Sequence, residues 1–158
     1  MEFLVSNQKL NARSDLVQNM TTDEMERMLG DTLIGRLCMS DRDGKPYAIP
    51  LPFCWTKGSL FVRLPMTGRK GEVLSQNNRV CFEVDRFSDG LDEYASILIE
   101  GRLEHANDLD EKVYVKQVND EKYHRLRRGN RPGHGRASLI TDLPLRKLVV
   151  ESLSGRRK

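Results

Sequence analysis

The sequence predicts a mainly β domain with short helices, an α+β chain whose six strands form a closed or split antiparallel barrel. Three observations predict it. Strand-length apolar runs recur with alternating polar partners, tight glycine turns join neighbouring runs, and only three short stretches carry a helical pattern. Strands in hairpin order leave sheet edges, and closure removes them.

Met1 to Gln18 shows no convincing period and reads as an arm or a partly disordered segment. A helix starts at Thr21, which caps it, with Glu24 placed to reach back as in a capping box. Met25, Met28 and Leu29 share its apolar face, and Gly30 ends it. Leu33 to Ser40 is the first strand, and Asp41-Arg42-Asp43-Gly44 turns the chain into Lys45 to Trp55. A second turn at Thr56-Lys57-Gly58 leads into Ser59 to Leu64.

The middle strand of this meander carries Pro46, Pro50 and Pro52, none of which can donate to a ladder. Either it is an edge strand guarded against aggregation, or its interrupted pairing leaves backbone groups free for a flat, polar-edged ligand. Asn77-Asn78 precedes the strand Arg79 to Phe87, and Tyr94 to Glu104 is the longest. In the latter, Ala95, Ile97 and Ile99 face one way, and Ser96, Leu98 and Glu100 the other. Ser96 is either a satisfied strand hydroxyl or a ligand contact. Asp108 to Leu126 is helical, capped by Asn107 or Asp108, with Leu109 and Val113 on a modest apolar face. Arg127 to Arg136 is a basic loop, and Leu145 to Leu153 closes the sheet.

The 158 residues suit one domain with one core. It is expected over 21–155, after an arm over 1–20 and before a basic tail over 156–158. The net charge of +3 is concentrated in Arg125 to Arg136 and in that tail. A nucleic-acid binder carries a broader basic stripe, so no nucleic-acid partner is expected. Cys38, Cys54 and Cys81 are odd in number, without metal-type spacing, and read as buried, reduced thiols; no metal is expected. No apolar stretch is long enough to span a bilayer and no signal-peptide core is present, so a cytoplasmic protein without a membrane partner is expected.

The stretch Phe61 to Leu74 concentrates the chemistry. An apolar strand breaks at Pro65, passes Thr67 and Gly68, and enters a short helix, Arg69 to Gln76, on two adjacent cations, Arg69 and Lys70. Unpaired amides at a helix start stabilise an anion, and Gly68 lets backbone come close. The triplet is either solvated surface charge or a phosphate cradle.

Four segments together carry a resemblance: Gly-Lys-Pro-Tyr-Ala-Ile-Pro-Leu (44–51), Gly-Arg-Lys (68–70), Asn-Asn-Arg-Val-Cys-Phe-Glu-Val (77–84) and Tyr-Ala-Ser-Ile-Leu-Ile-Glu-Gly (94–101). In this order the chain resembles the FMN-binding split β-barrels related to pyridoxamine 5′-phosphate oxidase, in their nitroimidazole-resistance-like branch. The resemblance implies a homodimer with FMN at the subunit interface and a small-molecule substrate. It implies a phosphate held by Arg69 and Lys70, a ring lined by Ala48, Ile49, Pro50 and Leu51 through backbone atoms, and Ser96 facing the cofactor. Arg63, Thr67 and Gly68 belong to the stretch that approaches the phosphate and ribityl chain.

Pyridoxamine phosphate oxidases have an arginine and a lysine where this chain has Ile49 and Cys54. Nitroimidazole-resistance-type members often have histidines where it has Arg63 and Arg69. The flavin-binding features therefore carry over, and the substrate-specific ones do not. No catalytic acid or base is identified: His105 lies at a strand end, and His124 and His134 flank the basic loop. The expected function is an FMN-dependent oxidoreductase. A non-catalytic flavin carrier or redox sensor, a deazaflavin in place of FMN, and a haem-binding split barrel remain alternatives.

Overall fold

Alternation in the sequence becomes one antiparallel sheet in space. The structure, a computed structural model, describes residues 17–127 and 139–158. Its elements are β1 (Gln18–Asn19), α1 (Thr22–Asp31), β2 (Ile34–Ser40), β3 (Pro46–Pro52), β4 (Cys54–Thr56), β5 (Ser59–Arg63), α2 (Gly68–Gln76), β6 (Arg79–Phe87), β7 (Tyr94–His105), α3 (Leu109–Leu126) and β8 (Leu145–Arg157). The sheet runs β3-β2-β6-β7-β8-β5-β4, and β1 adds to β8. Its two ends, β3 and β4, are separated in sequence by Phe53 alone. The sheet therefore curls until one stretch of chain forms both of its edges, leaving a split between β3 and β5. This is the α+β split barrel that the hairpin order predicted.

The strand expected over Lys45–Trp55 is broken at Phe53, which is one reason the six expected strands become eight segments. The cause lies in what Phe53 touches. Its ring is buried edge-on to Phe82, with centroids 5.2 Å apart. Its carbonyl accepts a hydrogen bond from Lys122 Nζ at 3.1 Å, where a ladder would need a neighbouring strand. The closing strand also differs from expectation. It continues past Leu153 to Arg157, so Arg156 and Arg157 pair with β1 and β7 instead of forming a frayed tail. The arm's last residues, Gln18 and Asn19, are likewise in the sheet. Residues 1–16 of the expected arm, and most of the basic loop with His134, lie outside the described residues.

The barrel interior is filled by Leu37, Leu60, Phe82, Val84, Ile97, Ile99 and Leu148, each fully buried. A side chain of this size contributes about 1.5–3 kcal/mol when taken from water. Met25, Met28 and Leu29 of α1 pack into the same core. The capping box is formed: Glu24 N–H donates to Thr21 Oγ1 at 3.2 Å, and Thr21 N–H to Glu24 Oε2 at 2.7 Å.

The face of α3 is not the expected one. Leu109 and Val113 are exposed, while Lys112, Val115 and Lys122 are buried. Lysine stems can line apolar surface if their ammonium groups find acceptors. Lys112 donates to the Thr141 carbonyl at 3.0 Å, and Lys122 to the Leu29 carbonyl at 3.2 Å as well as to Phe53. The Leu29 carbonyl lies in the last turn of α1, where cations are favoured. Among the described residues no helix is long and apolar enough to cross a membrane.

Candidate functional site

Alternation decides which side of β3 faces the split. Pro46, Pro50 and Pro52 occupy alternate positions of a strand that pairs only with β2. A ladder that cannot use proline nitrogens must run through the N–H groups of Tyr47, Ile49 and Leu51. Those three side chains turn to the cleft side, half-buried, while Pro46, Ala48, Pro50 and Pro52 are exposed. The far edge of β3, with the Ala48 amide, is left unpaired toward β5.

The opposite wall comes from the chain that leaves β5. Leu64 is fully buried and anchored by its N–H to the Pro144 carbonyl at 2.9 Å. Pro65, Met66 and Thr67 then carry the chain to Gly68, whose φ of +63° makes the turn into α2. Gly71 sits against the backbone of Met66 so closely that a Cβ would lie 2.7 Å from its carbonyl carbon. The first turn of α2 is therefore pressed onto the linker that precedes it.

Capping leaves this turn open. Thr21 caps α1 and Asp108 caps α3 with side-chain oxygens, but Thr67, at the start of α2, makes no such bond. The first amides of α2 keep their hydrogen-bonding capacity and their partial positive charge. Arg69 and Lys70 stand beside them.

Between the walls is a cleft of about 290 Å³, lined by Tyr47, Ile49 and Leu51 of β3 together with Arg63, Leu64, Pro65, Thr67, Gly68, Arg69 and Lys70. Its volume is at the low end of the ~300–1,000 Å³ usual for small-molecule pockets. One wall is apolar and the other is cationic. No acidic residue and no histidine lines it among the described residues. The donor set thus suits a flat, partly apolar ligand that carries an anion at one end.

Of the residues expected at the site, Ile49, Leu51, Arg63, Thr67, Gly68, Arg69 and Lys70 come together here. The side chains of Ala48 and Pro50 project from the other face of β3, so only their backbone atoms, the ones the resemblance implies, are on the strand that walls the cleft. Ser96 is elsewhere, in β7 opposite Asp85 of β6 and Arg156 of β8. Directly paired residues of antiparallel strands share a face. Pro50, Arg36 and Glu83 therefore lie in one row of the outer sheet, and Ala48, Cys38, Cys81 and Glu100 in the next. Arg36 forms ion pairs there with Glu83 and Asp85.

The cysteines split accordingly. Cys54 is buried under α3, whereas Cys38 and Cys81 are half-buried neighbours on the outer face. Burial pushes the Cys81 thiol up to about 11, with Cys38, Glu100 and Glu83 adding to it. Tyr47, Leu64 and Pro65 line the cleft without having been expected there, and Tyr47 is the one of them on the β3 wall. Its spacing from Ile49 and Leu51, every second residue, was the available signal.

Fold and site together define a split barrel with a partly cationic cleft at its seam. A model of the family described as pyridoxamine 5′-phosphate oxidase matches residues 21–157, and the chain belongs to that family. No curated protein matches the sequence. Among solved structures, a Bacteroides thetaiotaomicron protein assigned to 5-nitroimidazole antibiotic resistance is similar over 89% of this chain and 87% of its own, at 19% identity and a TM-score of 0.68. A FAD-binding protein of Mesorhizobium loti is similar over 90% of this chain and 99% of its own, at 25% identity and a TM-score of 0.65. A haem-binding protein of Mycobacterium smegmatis shares the fold over 85% of this chain and 53% of its own, at 16% identity and a TM-score of 0.62.

Proposed function

We propose that this chain is a cytoplasmic, homodimeric FMN-binding oxidoreductase that passes electrons from a reduced donor to a small-molecule acceptor. The observation that carries this reading is the cleft, where an edge strand with unpaired backbone faces the uncapped, doubly cationic start of α2. Arg69, Lys70 and the first amides of α2 hold the phosphate, a single cradle suited to a monophosphate. Ile49 and Leu51 offer apolar contact to a ring, and the free edge of β3 offers amide and carbonyl groups to its polar rim. Bound FMN itself supplies the hydride or electron transfer, so the protein's part is to bind and orient.

The M. loti neighbour is a FAD-binding protein, which favours a flavin in general. Among the described residues no histidine lines the cleft, so none of them offers haem an axial ligand there. Ile49 and Cys54 stand where pyridoxamine phosphate oxidases carry an arginine and a lysine, which argues against vitamin B6 phosphate as the substrate.

The small size of the cleft supports a second copy completing it. The outer sheet face is the candidate for that copy. It exposes Ile34, Phe87, Tyr94 and Leu98, and it carries the side chains of Ala48, Pro50 and Ser96. A two-fold contact over this face would bring them toward a partner's cleft.

The visible spectrum of the purified protein tests the cofactor: flavin maxima are expected, and a Soret band would overturn the reading. Stopped-flow reduction by NADH or NADPH, followed by reoxidation, separates an enzyme from a carrier. Sedimentation is expected to show a dimer at micromolar concentration, and a stable flavin-loaded monomer would refute the assembly.

A further inference from the structure

The cleft carries more positive charge than one phosphate cradle uses. Arg63, Arg69 and Lys70 all line it. Among the described residues none of the three lies within ion-pair distance of a carboxylate, although eight such pairs are formed elsewhere. Two of these cations share the first turn of α2 with its free amides. The third has a different origin. Arg63 is the last residue of β5, opposite Leu145 of β8, and reaches the cleft from the strand side of the Leu64–Thr67 linker. It lines the same cleft as Ile49 and Leu51, and β3 and β5 approach each other across the split.

A phosphate held by Arg69, Lys70 and helix-start amides is already matched in charge. An arginine left over beside an apolar wall, with no acidic neighbour, draws a second anion to that wall. Its planar fork suits a carboxylate or phosphate group in particular.

We infer that Arg63 is the recognition residue for an anionic substrate, a small molecule bearing a carboxylate or phosphate that enters the cleft beside the cofactor. This rests on the flavin reading above and adds the substrate's chemical class. Tyr47, Ile49 and Leu51 supply apolar contact to the rest of such a molecule. Arg63 is exposed, so its pull on an anion weakens with rising salt.

The test compares FMN-loaded wild type, Arg63→Gln and Arg63→Lys, titrated with benzoate and with its neutral match benzamide, while the flavin absorption is followed. A lost charge-assisted contact weakens binding by roughly ten-fold or more. Benzoate is therefore expected to bind wild type at least about ten-fold tighter than benzamide, with the gap closing in Arg63→Gln and partly returning in Arg63→Lys. FMN is kept saturating in all three proteins, and the affinity of each for FMN is measured alongside. Equal binding of benzoate and benzamide by wild type, or a gap that survives in Arg63→Gln, would overturn the inference. Loss of FMN from Arg63→Gln would also overturn it, by assigning the cation to the cofactor. Wild type that takes up no FMN would sink the flavin reading and this inference with it. Wild type that binds FMN but shows no benzoate advantage sinks the inference alone.

Discussion

The guanidinium of Arg69 lies 4.4 Å from the centre of the Tyr47 ring. This contact joins the start of α2 to the wall of β3 across the split. An exposed cation–π contact contributes about 0.5–1 kcal/mol, enough to hold a long side chain near one orientation. Arg69 is thus held at the cleft before any ligand arrives. Tyr47→Phe keeps the ring and is expected to bind FMN as wild type does. Tyr47→Leu removes it and is expected to weaken FMN roughly two- to five-fold, the equivalent of the lost contact. Equal affinity in all three proteins would show that the pairing does not matter to binding.

Arg69→Ala and Lys70→Ala test the cradle directly. Each removes a charge-assisted hydrogen bond worth about 1.5–3 kcal/mol, so FMN is expected to weaken by one to two powers of ten. Riboflavin lacks the phosphate and is expected to bind wild type and both variants with nearly equal weakness. Both variants are expected to stay folded, because Arg69 is exposed, Lys70 is half-buried, and neither is ion-paired among the described residues. Fluorescence-quenching titrations of the two ligands read the difference. Wild-type FMN affinity in both variants would put the phosphate somewhere else.

Gly71 tests the position of α2 rather than its charge. An alanine Cβ would lie 2.7 and 2.8 Å from the Met66 carbonyl carbon and oxygen, and backbone cannot swing aside as a flexible side chain can. Gly71→Ala is expected to push α2 off the linker at a cost of about 1–3 kcal/mol, the usual range for overpacking. Melting temperature and FMN affinity are expected to fall together. A large loss of stability with unchanged FMN affinity would separate the helix's packing from the cradle.

Lys122 predicts a pH dependence. Burial pushes its ammonium down to about 8 from the ordinary 10.5, with Cys54 and Asp31 opposing the shift and Arg125 adding to it. Above about pH 8 the folded protein releases a proton that the unfolded chain keeps, so stability rises with pH from there. From about pH 9 the thiols oppose this gain. Cys54 and Cys81, both pushed up to about 11 by burial, keep protons that unfolded thiols lose above 9.0. A gain of about 1 kcal/mol at most is expected between pH 8 and 9, turning into a loss above it because two thiols outweigh one ammonium. Denaturant titrations in this range measure it, and Lys122→Met is expected to remove the rise. A flat profile in wild type would place the ammonium's titration outside the window.

Much of this molecule was legible as pattern. The capping box at Thr21, the turns at Gly44 and Gly58, and the inward row Ala95, Ile97 and Ile99 follow from local rules, and the structure has each of them. The cationic start of α2 was legible for the same reason, since its residues are consecutive in the chain. What was hidden depends on partners distant in sequence. The break at Phe53 needs Lys122, 69 residues away, to take its carbonyl. The buried face of α3 looked polar because its lysines meet carbonyls on other elements. The extension of β8 to Arg157 needs β1, whose two residues show no strand pattern of their own. Ala48, Pro50 and Ser96 reached the expected site through resemblance, and within one chain their side chains lie on a different face.

The junction at Phe53 gears the barrel. In an open sheet, a strand that slips along its neighbour leaves the far edge undisturbed. Here the strand bounding one edge continues directly into the strand bounding the other. A one-residue slide of β3 along β2 must drag β4 against β5 by the same step, breaking two ladders at once. Because side chains alternate with a period of two, that step would also turn Tyr47, Ile49 and Leu51 out of the cleft. The seam is unpaired, yet its register is tied to the ladders on both sides of it. Inserting or deleting one residue at Phe53 would put the cleft wall and the barrel's closing turn out of phase with each other.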